Sequence, residues 1–516
     1  MTDYSTTRRR VRAVMVALAL AIAVPASTLG AQGHPNPGTA FVTPLGGAIV
    51  IPLIDSGDVF DGETFEGIPD GLGLVPVGNG KRFIDIYVAF EQSHVPFGGF
   101  ADFEDSSVQV ARLDLKTRQI VSLEEVLPAS AGYIRFCSAF MAGPEQGFDK
   151  YTFFVNEESN DVLEIPAGAQ YPADPSLDPY RQAGYSVWID TKTGDFKPIP
   201  GMGRHNHENT VIIPGGWDDI VSLSGDDTFS APSSQLYMYT AASPGALKQD
   251  KGSLWAFQVT GVDGVPLLDP EDPFNNVNDY LEILAGVDYQ GRFIPVPDDV
   301  ADGTTGARPQ TALEDWSNAN NVFQFVRVED VDYDPDNPRN VYFADTGTNG
   351  LIESEATGRL IRSPAAPGAV TSFGRIFKMV LDEEDPTAVD SFSIFADSAD
   401  AASAFANPDN LDISSQSIMV QEDSSSANDV WMYSFGTGDW TKVASTNQGG
   451  GAETSGIVDA SAWLGDGWWV LDVQSHFNLT VGPGGLMYQT LPTGSLISYN
   501  TRREAGQLLL MFVPGS

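Results

Sequence analysis

Six times along this chain a pair of polar or acidic residues, thirteen to twenty-one positions apart, is followed by an aromatic-rich hairpin with a polar turn. The pairs are Asp70 with Glu91, Cys137 with Glu157/Glu158, and His207-Glu208 with Asp226-Asp227. Glu329 with Asp345, Asp409 with Glu422-Asp423, and Asp459 with Gln474/His476 complete the series. The hairpins open at Leu113, Trp188, Leu254, Ile376, Trp431 and Leu496. A four-stranded propeller blade produces this order because the start of its inner strand and the end of its second strand lie on one face of the disc. The spacing predicts an all-β chain: a six-bladed β-propeller with long inserted loops, its ligand pairs converging on a central funnel laid out as a metal site.

Short strands bounded by Gly, Asp, Asn and Pro support the all-β reading, among them Phe83–Phe90, Asn340–Ala344 and Gly467–Leu471. Insertions at 160–186, 261–318 and 347–372 are rich in Pro, Gly and Asp. Such loops decorate a scaffold and carry function or cover a site. Segment 278–286 is expected to form a short helix, and 32–48 an extended lead-in. No linker divides residues 32–516, which read as a single propeller domain.

Ahead of that domain, Arg8-Arg-Arg-Val-Arg12 precedes an apolar run from Ala13 to Val24, and Leu29-Gly-Ala31 follows Pro25. This is the pattern of a signal peptide over residues 1–31, with arginines compatible with the twin-arginine route. The chain is therefore expected in the periplasm or outside the cell. The net charge of −41 over 516 residues argues against nucleic acid and anionic membranes as partners. No later segment is apolar enough for stable membrane insertion, and a monomer is expected. A single cysteine excludes an intramolecular disulfide.

Hard carboxylates in this number suit Ca²⁺ and Fe³⁺, and a thiolate is a softer anionic donor. Clustered cations would offset the mutual repulsion of carboxylates in one funnel. Bland readings stand beside these. Cys137 between Phe136 and Ser138 fits a buried core thiol, Asp226-Asp227 a turn, and Glu329 to Asp334 a solvated edge. His205 and His207 lie two positions apart on a strand and could chelate zinc. The sharper reading has His207 orienting Glu208, and the bland one leaves His205 at the surface. No Gly-x-Ser-x-Gly elbow, P-loop, CxxC or complete EF-hand offers a rival signature.

Several motifs occur in a fixed order. They include Gly201-Met-Gly-Arg-His-Asn-His-Glu-Asn-Thr, Ser222-Leu-Ser-Gly-Asp-Asp-Thr, Phe325-Val-Arg-Val-Glu-Asp-Val, Phe405-Ala-Asn-Pro-Asp-Asn-Leu and Val473-Gln-Ser-His. Together they resemble the PhoX-type alkaline phosphatases, secreted β-propeller phosphatases, over about residues 50 to 500. The resemblance implies two ferric ions plus calcium ions and a phosphate-ester substrate. Carried over, Cys137 matches an iron ligand, and Glu208 and Glu329 match glutamates bridging metals. Arg327 matches an arginine that holds the substrate phosphate. Arg327, Glu208 and Glu329 are thus the catalytic expectation. Glu157, Glu158, Asp226, Asp227 and Asp409 fall where acidic metal ligands are expected. Val328 stands between Arg327 and Glu329 where the family pattern has proline. The function expected is hydrolysis of phosphomonoesters at an iron/calcium centre. A calcium-stabilised propeller binding a ligand or envelope partner without turnover, and a lactonase-type hydrolase, are the alternatives.

Overall fold

The computed structural model describes residues 37–92, 106–228, 234–267, 277–400, 403–424, 428–448, 452–490 and 496–516, with the backbone alone for 477–490 and 496–503. The expected signal peptide lies outside the described residues. Antiparallel meanders account for most of the chain. Strands β1 (Val42–Pro44) and β2 (Ile49–Asp55) come first and join sheets completed far downstream. Strands β3 (Gly67–Pro76), β4 (Phe83–Gln92), β5 (Ser107–Asp114) and β6 (Gln119–Leu127) form one four-stranded sheet in chain order. Strands β7 (Phe136–Ala142), β8 (Thr152–Glu157), β9 (Ser186–Asp190) and β10 (Phe196–Pro198) form the next.

A larger sheet follows. Its β11 (His207–Ile212), β12 (Ile220–Asp226), β13 (Leu236–Ala241) and β14 (Ser253–Val262) run in order. Strand β15 (Tyr289–Pro295) then ties them to a second meander, β16 (Val328–Tyr333), β17 (Asn340–Asp345), β18 (Arg375–Leu381) and β19 (Ala388–Asp397). Next come β20 (Pro408–Ile413), β21 (Ser417–Glu422), β22 (Asp429–Ser434) and β23 (Trp440–Thr446), with β1 beside β23. The last sheet holds β24 (Ala452–Asp459), β25 (Trp468–Thr490) and β26 (Leu496–Phe512), and β2 supplies its fourth strand. The lead-in expected over 32–48 thus supplies β1, which joins one sheet, and β2 just after it joins another, with Ile49 opposite Phe512 and Asp55 opposite Gln507.

The first strands of the meanders pack on one another in chain order, β3 on β7, β7 on β11, β11 on β16, β16 on β20 and β20 on β24, and β24 returns to β3. Missing side chains make this approach possible. A Cβ at Gly71 would lie 2.4 Å from the Ala139 nitrogen, and one at Gly456 would lie 2.1 Å from the Asp70 carbonyl oxygen. The buried sheet edges formed by these strands would leave backbone N–H groups unpaired. Side chains of the preceding strand take them up. Asn209 accepts from Val331 N at 3.1 Å and donates to its carbonyl at 2.7 Å. Asp330 accepts from Leu411 N at 3.1 Å, Asp332 from Ile413 N at 2.9 Å, and Asp412 from Asp459 N.

Apolar side chains fill the space between neighbouring sheets. Leu72, Leu74, Ile86 and Val88 pack with Ile54, Val470, Leu508 and Leu510, joining the first sheet to the one that contains β2 and β26. Segment 278–286 is turns rather than the expected helix. The helices of that insertion are Asp298–Ala301 and the longer Pro309–Ala319, entered through Pro309, whose missing N–H costs nothing at a first helical position.

Candidate metal centre and active site

All six first strands break register with their second strands at the same place. Pro69 to Leu72 spans Phe90 to Val88, His207 to Thr210 spans Asp226 to Ser224, and Val328 to Val331 spans Asp345 to Phe343. The same one-residue excess occurs at Pro408–Leu411, Thr454–Ile457 and Phe136–Ala139. A bulge of this kind sharpens the local twist and re-aims the side chain it carries. The first bulged residue is Asp70, Cys137, Glu208, Glu329 and Asp409 in five strands and Ser455 in the sixth. There Ser455 Oγ donates to Glu453 Oε1 at 2.8 Å, and Glu453 supplies the carboxylate. The ends of the second strands add Glu91, Glu158, Asp227, Asp423 and His476.

Apart from Asp70 and Ser455, these side chains line one cavity of about 340 Å³. Their donor atoms fall into four overlapping groups, each within 4.8 Å: Asp70–Glu91–Cys137, Cys137–Glu158–Glu208, Glu208–Glu329–Asp409 and Asp409–Asp423–Glu453. Shared members make them a continuous row. Buried oxygens of Asp70 (Oδ1), Glu158 (Oε1) and Glu208 (Oε2) have no hydrogen-bond partner. A buried charge in that state is costly unless a cation or proton meets it. Burial first, and then the neighbouring carboxylates, push the carboxyls of Asp70, Glu208 and Asp409 well above the usual range. Burial and then Asp70 do the same to the Cys137 thiol, whose Sγ lies 3.4 Å from Asp70 Oδ2. A donor set of hard carboxylates and one thiol with orphaned oxygens fits several metal ions.

Arg327 stands at the Glu329 stretch of this row. It donates to both oxygens of Asp227, at 2.8 and 3.0 Å, and lies 3.0 Å from Glu329 Oε1. Thr346 Oγ1 donates to the same Glu329 oxygen at 2.7 Å. Further along, Gln474 Nε2 donates to Asp70 and Glu91, each at 2.8 Å. His476 lies 2.5 Å from Glu504 and 3.9 Å from Glu453. Burial opposes its charge, yet these two carboxylates push its pKa up to about 11.

Residues 145–460 match the family described as Alkaline phosphatase PhoX. The chain belongs to that family. With it the chain is placed among the phosphoric monoester hydrolases, as the ordered motifs implied. The structure of Pseudomonas fluorescens PhoX in complex with vanadate, a transition state analogue, is similar in fold at a TM-score of 0.60 and 16% identity, covering 93% of this chain and 97% of that one. The NanB sialidase of Streptococcus pneumoniae is a more distant likeness, at a TM-score of 0.34 and 8% identity over 93% of this chain and 71% of that one. No curated protein sequence matches.

Within this PhoX-family chain, Cys137, Glu158, Glu208, Asp227, Arg327, Glu329 and Asp409 meet at the cavity. Glu157 and Asp226 do not. Each doublet at a second-strand end splits by the two-residue period of a strand, the second residue facing the cavity and the first turning between sheets. Glu157 accepts from Ile134 N at 3.0 Å and Tyr185 N at 3.1 Å, and pairs with buried Arg181 at 2.7 Å. Asp226 accepts from Thr228 Oγ1 at 2.8 Å. Glu422 likewise accepts from Ala406 N and Trp431 Nε1, both at 2.8 Å, and leaves the cavity to Asp423. Asp345 holds Val326 N and Gly347 N at 2.9 and 3.0 Å.

Three further readings need correction. His205 is fully buried rather than superficial, its ring 3.6 Å from that of His207. His207 bonds Ser224 and the Gly203 carbonyl, at 2.9 and 3.1 Å, and does not touch Glu208. In the sixth pair the residue opposite Gln474 is Glu453, while Asp459 sits at the far end of β24 beside Ser461. Sequence reasoning missed Glu453, Glu504 and Arg135. A shared bulge position would have pointed to Ser455, whose hydroxyl holds Glu453, had strand register been readable from residue types.

Proposed function

We propose that this chain is an exported phosphomonoesterase working at a multi-metal iron/calcium centre in the funnel of a six-bladed β-propeller. The observation that carries the reading is the continuous row of four donor groups with Arg327 along it. The propeller reading is supported by six first strands in successive contact, each bulged at the same place. Export is supported by the basic and apolar stretches of residues 1–31. Among the described residues no helix is long and apolar enough to cross a membrane.

Cys137, Glu158, Glu208, Glu329 and Asp409 would hold the ions, which would supply Lewis-acid charge toward the phosphoryl oxygens. The chain's own contribution is binding and orientation. Arg327 presents a planar fork to phosphate oxygens, a geometry a lysine does not reproduce. Asp227 and Glu329 fix that fork before substrate arrives, and Thr346 fixes Glu329 in turn. Burial and neighbouring carboxylates hold the carboxyls of Glu208 and Glu329 above the usual range, and wherever they ionise without a cation to offset the charge they would repel a phosphate dianion. Occupancy by cations and binding of substrate are therefore linked. Turnover of 4-nitrophenyl phosphate without lactone hydrolysis is expected, and lactone hydrolysis without phosphatase activity contradicts the reading.

A further inference from the structure

Arg135 lies just before β7 with φ at 46°, in the left-handed region that a bulky side chain rarely occupies. Three hydrogen bonds hold the backbone there. Ile134 N donates to Glu157 at 3.0 Å, Phe136 N donates to Ser106 Oγ at 2.9 Å, and the Arg135 carbonyl accepts from Glu158 N at 2.9 Å. Strain over-determined in this way concentrates at functional positions. The Arg135 side chain lines the central cavity. Burial raises the carboxyls of Glu91 and Glu158, Asp227 raises Glu158 further, and the charge of Arg135 works against both rises. Arg135 therefore stands beside the two donor groups that share Cys137, whereas Arg327 stands beside Asp227 and Glu329. Two guanidiniums thus border different stretches of one carboxylate row. The cavity, at about 340 Å³, has the size of a small organic-ligand site rather than of a bare ion.

We propose that Arg135 determines substrate specificity: Arg327 takes the transferred phosphoryl group, and Arg135 takes a second acidic group, a carboxylate or phosphate, carried by the leaving alcohol. The proposal rests on the phosphatase reading. A bidentate guanidinium suits such an anion, and in a cavity so rich in carboxylates a neutral donor would give little preference for it.

The test compares phenyl phosphate with 4-carboxyphenyl phosphate as substrates, and benzylphosphonate with 4-carboxybenzylphosphonate as ligands that need no turnover. Arg135→Asn is the main variant because asparagine tolerates the left-handed backbone, and Arg135→Gly repeats the test with the backbone fully relaxed. In the wild-type protein the carboxylated ligand is expected to bind more tightly. Both variants are expected to raise KM and Kd for the carboxylated compounds at least about tenfold more than for the plain ones, with metal content retained and melting temperature unchanged or higher. Equal shifts for both compounds, or loss of metal together with kcat, would overturn the proposal and make Arg135 a positioning residue for Glu91 and Glu158. Phosphonate binding without turnover of either ester would instead count against the phosphatase reading.

Discussion

Replacing Glu157 by glutamine separates the structural carboxylate of a doublet from the cavity carboxylate beside it. Glu157 and Arg181 are both fully buried, joined by contacts of 2.7 and 2.8 Å. Arg181 also donates to the Gly132 carbonyl at 2.6 Å, and its guanidinium lies 4.6 Å from the Tyr171 ring centroid. Removing one partner of such a pair leaves an uncompensated charge and costs about 3–5 kcal/mol. For a domain of this size that lowers the melting temperature by roughly 3–5 °C. Glu158→Gln removes a like charge from the donor row instead, where Oε1 has no hydrogen-bond partner. It is expected to lose bound cations and activity while the metal-free protein melts no lower than the wild type. The assay is calorimetry and elemental analysis on the same preparations. A Glu157→Gln protein with native melting temperature and missing cations would refute the division of roles within the doublet.

Other outcomes follow from the same geometry. Arg327→Ala is expected to reduce kcat/KM by at least about 10²–10³, the usual loss for one oriented charge-stabilising donor, while retaining metal; steady-state kinetics with metal analysis checks it. Gly71→Ala places a Cβ 2.4 Å from Ala139 N and 2.6 Å from the Cys137 carbonyl oxygen. Forcing β3 from β7 is expected to cost about 1–3 kcal/mol, as overpacking does, and to weaken cation binding at Cys137; a thermal melt with calcium titration reads both. Chelated protein is expected to lose stability as pH rises. Burial first, then Asp423, raise the Glu453 carboxyl from 4.5 to about 7. The folded state then holds more protons than the unfolded one between those values, so this stability is present below about 4.5 and gone above about 7. Bound calcium replaces the proton and flattens the slope; a chelated protein equally stable at pH 5 and pH 8 would contradict this.

The chain's residue types disclosed the arrangement of the site better than its individual members. Pairs such as Cys137 with Glu158 and Asp409 with Asp423 were legible because a ligand early in one strand and another at the end of the next is a spacing that a meander imposes. Which carboxylate of a doublet enters the cavity was not legible. Glu157 and Glu158 differ only in strand phase, and phase depends on a bulge that nothing in the sequence marks. The sheet to which Ile49–Asp55 belongs was hidden for a related reason: its partners lie more than 400 residues away, at Gln507 to Phe512. Arg135 escaped notice because its signature is a backbone angle and not a residue pattern.

Elemental analysis coupled to turnover on one sample tests the central claim most directly. Purified protein is expected to carry calcium and iron, to hydrolyse 4-nitrophenyl phosphate, to lose turnover on chelation and to regain it when the ions return. Full turnover by protein stripped of metal, or metal-loaded folded protein with no phosphatase activity, would contradict the account.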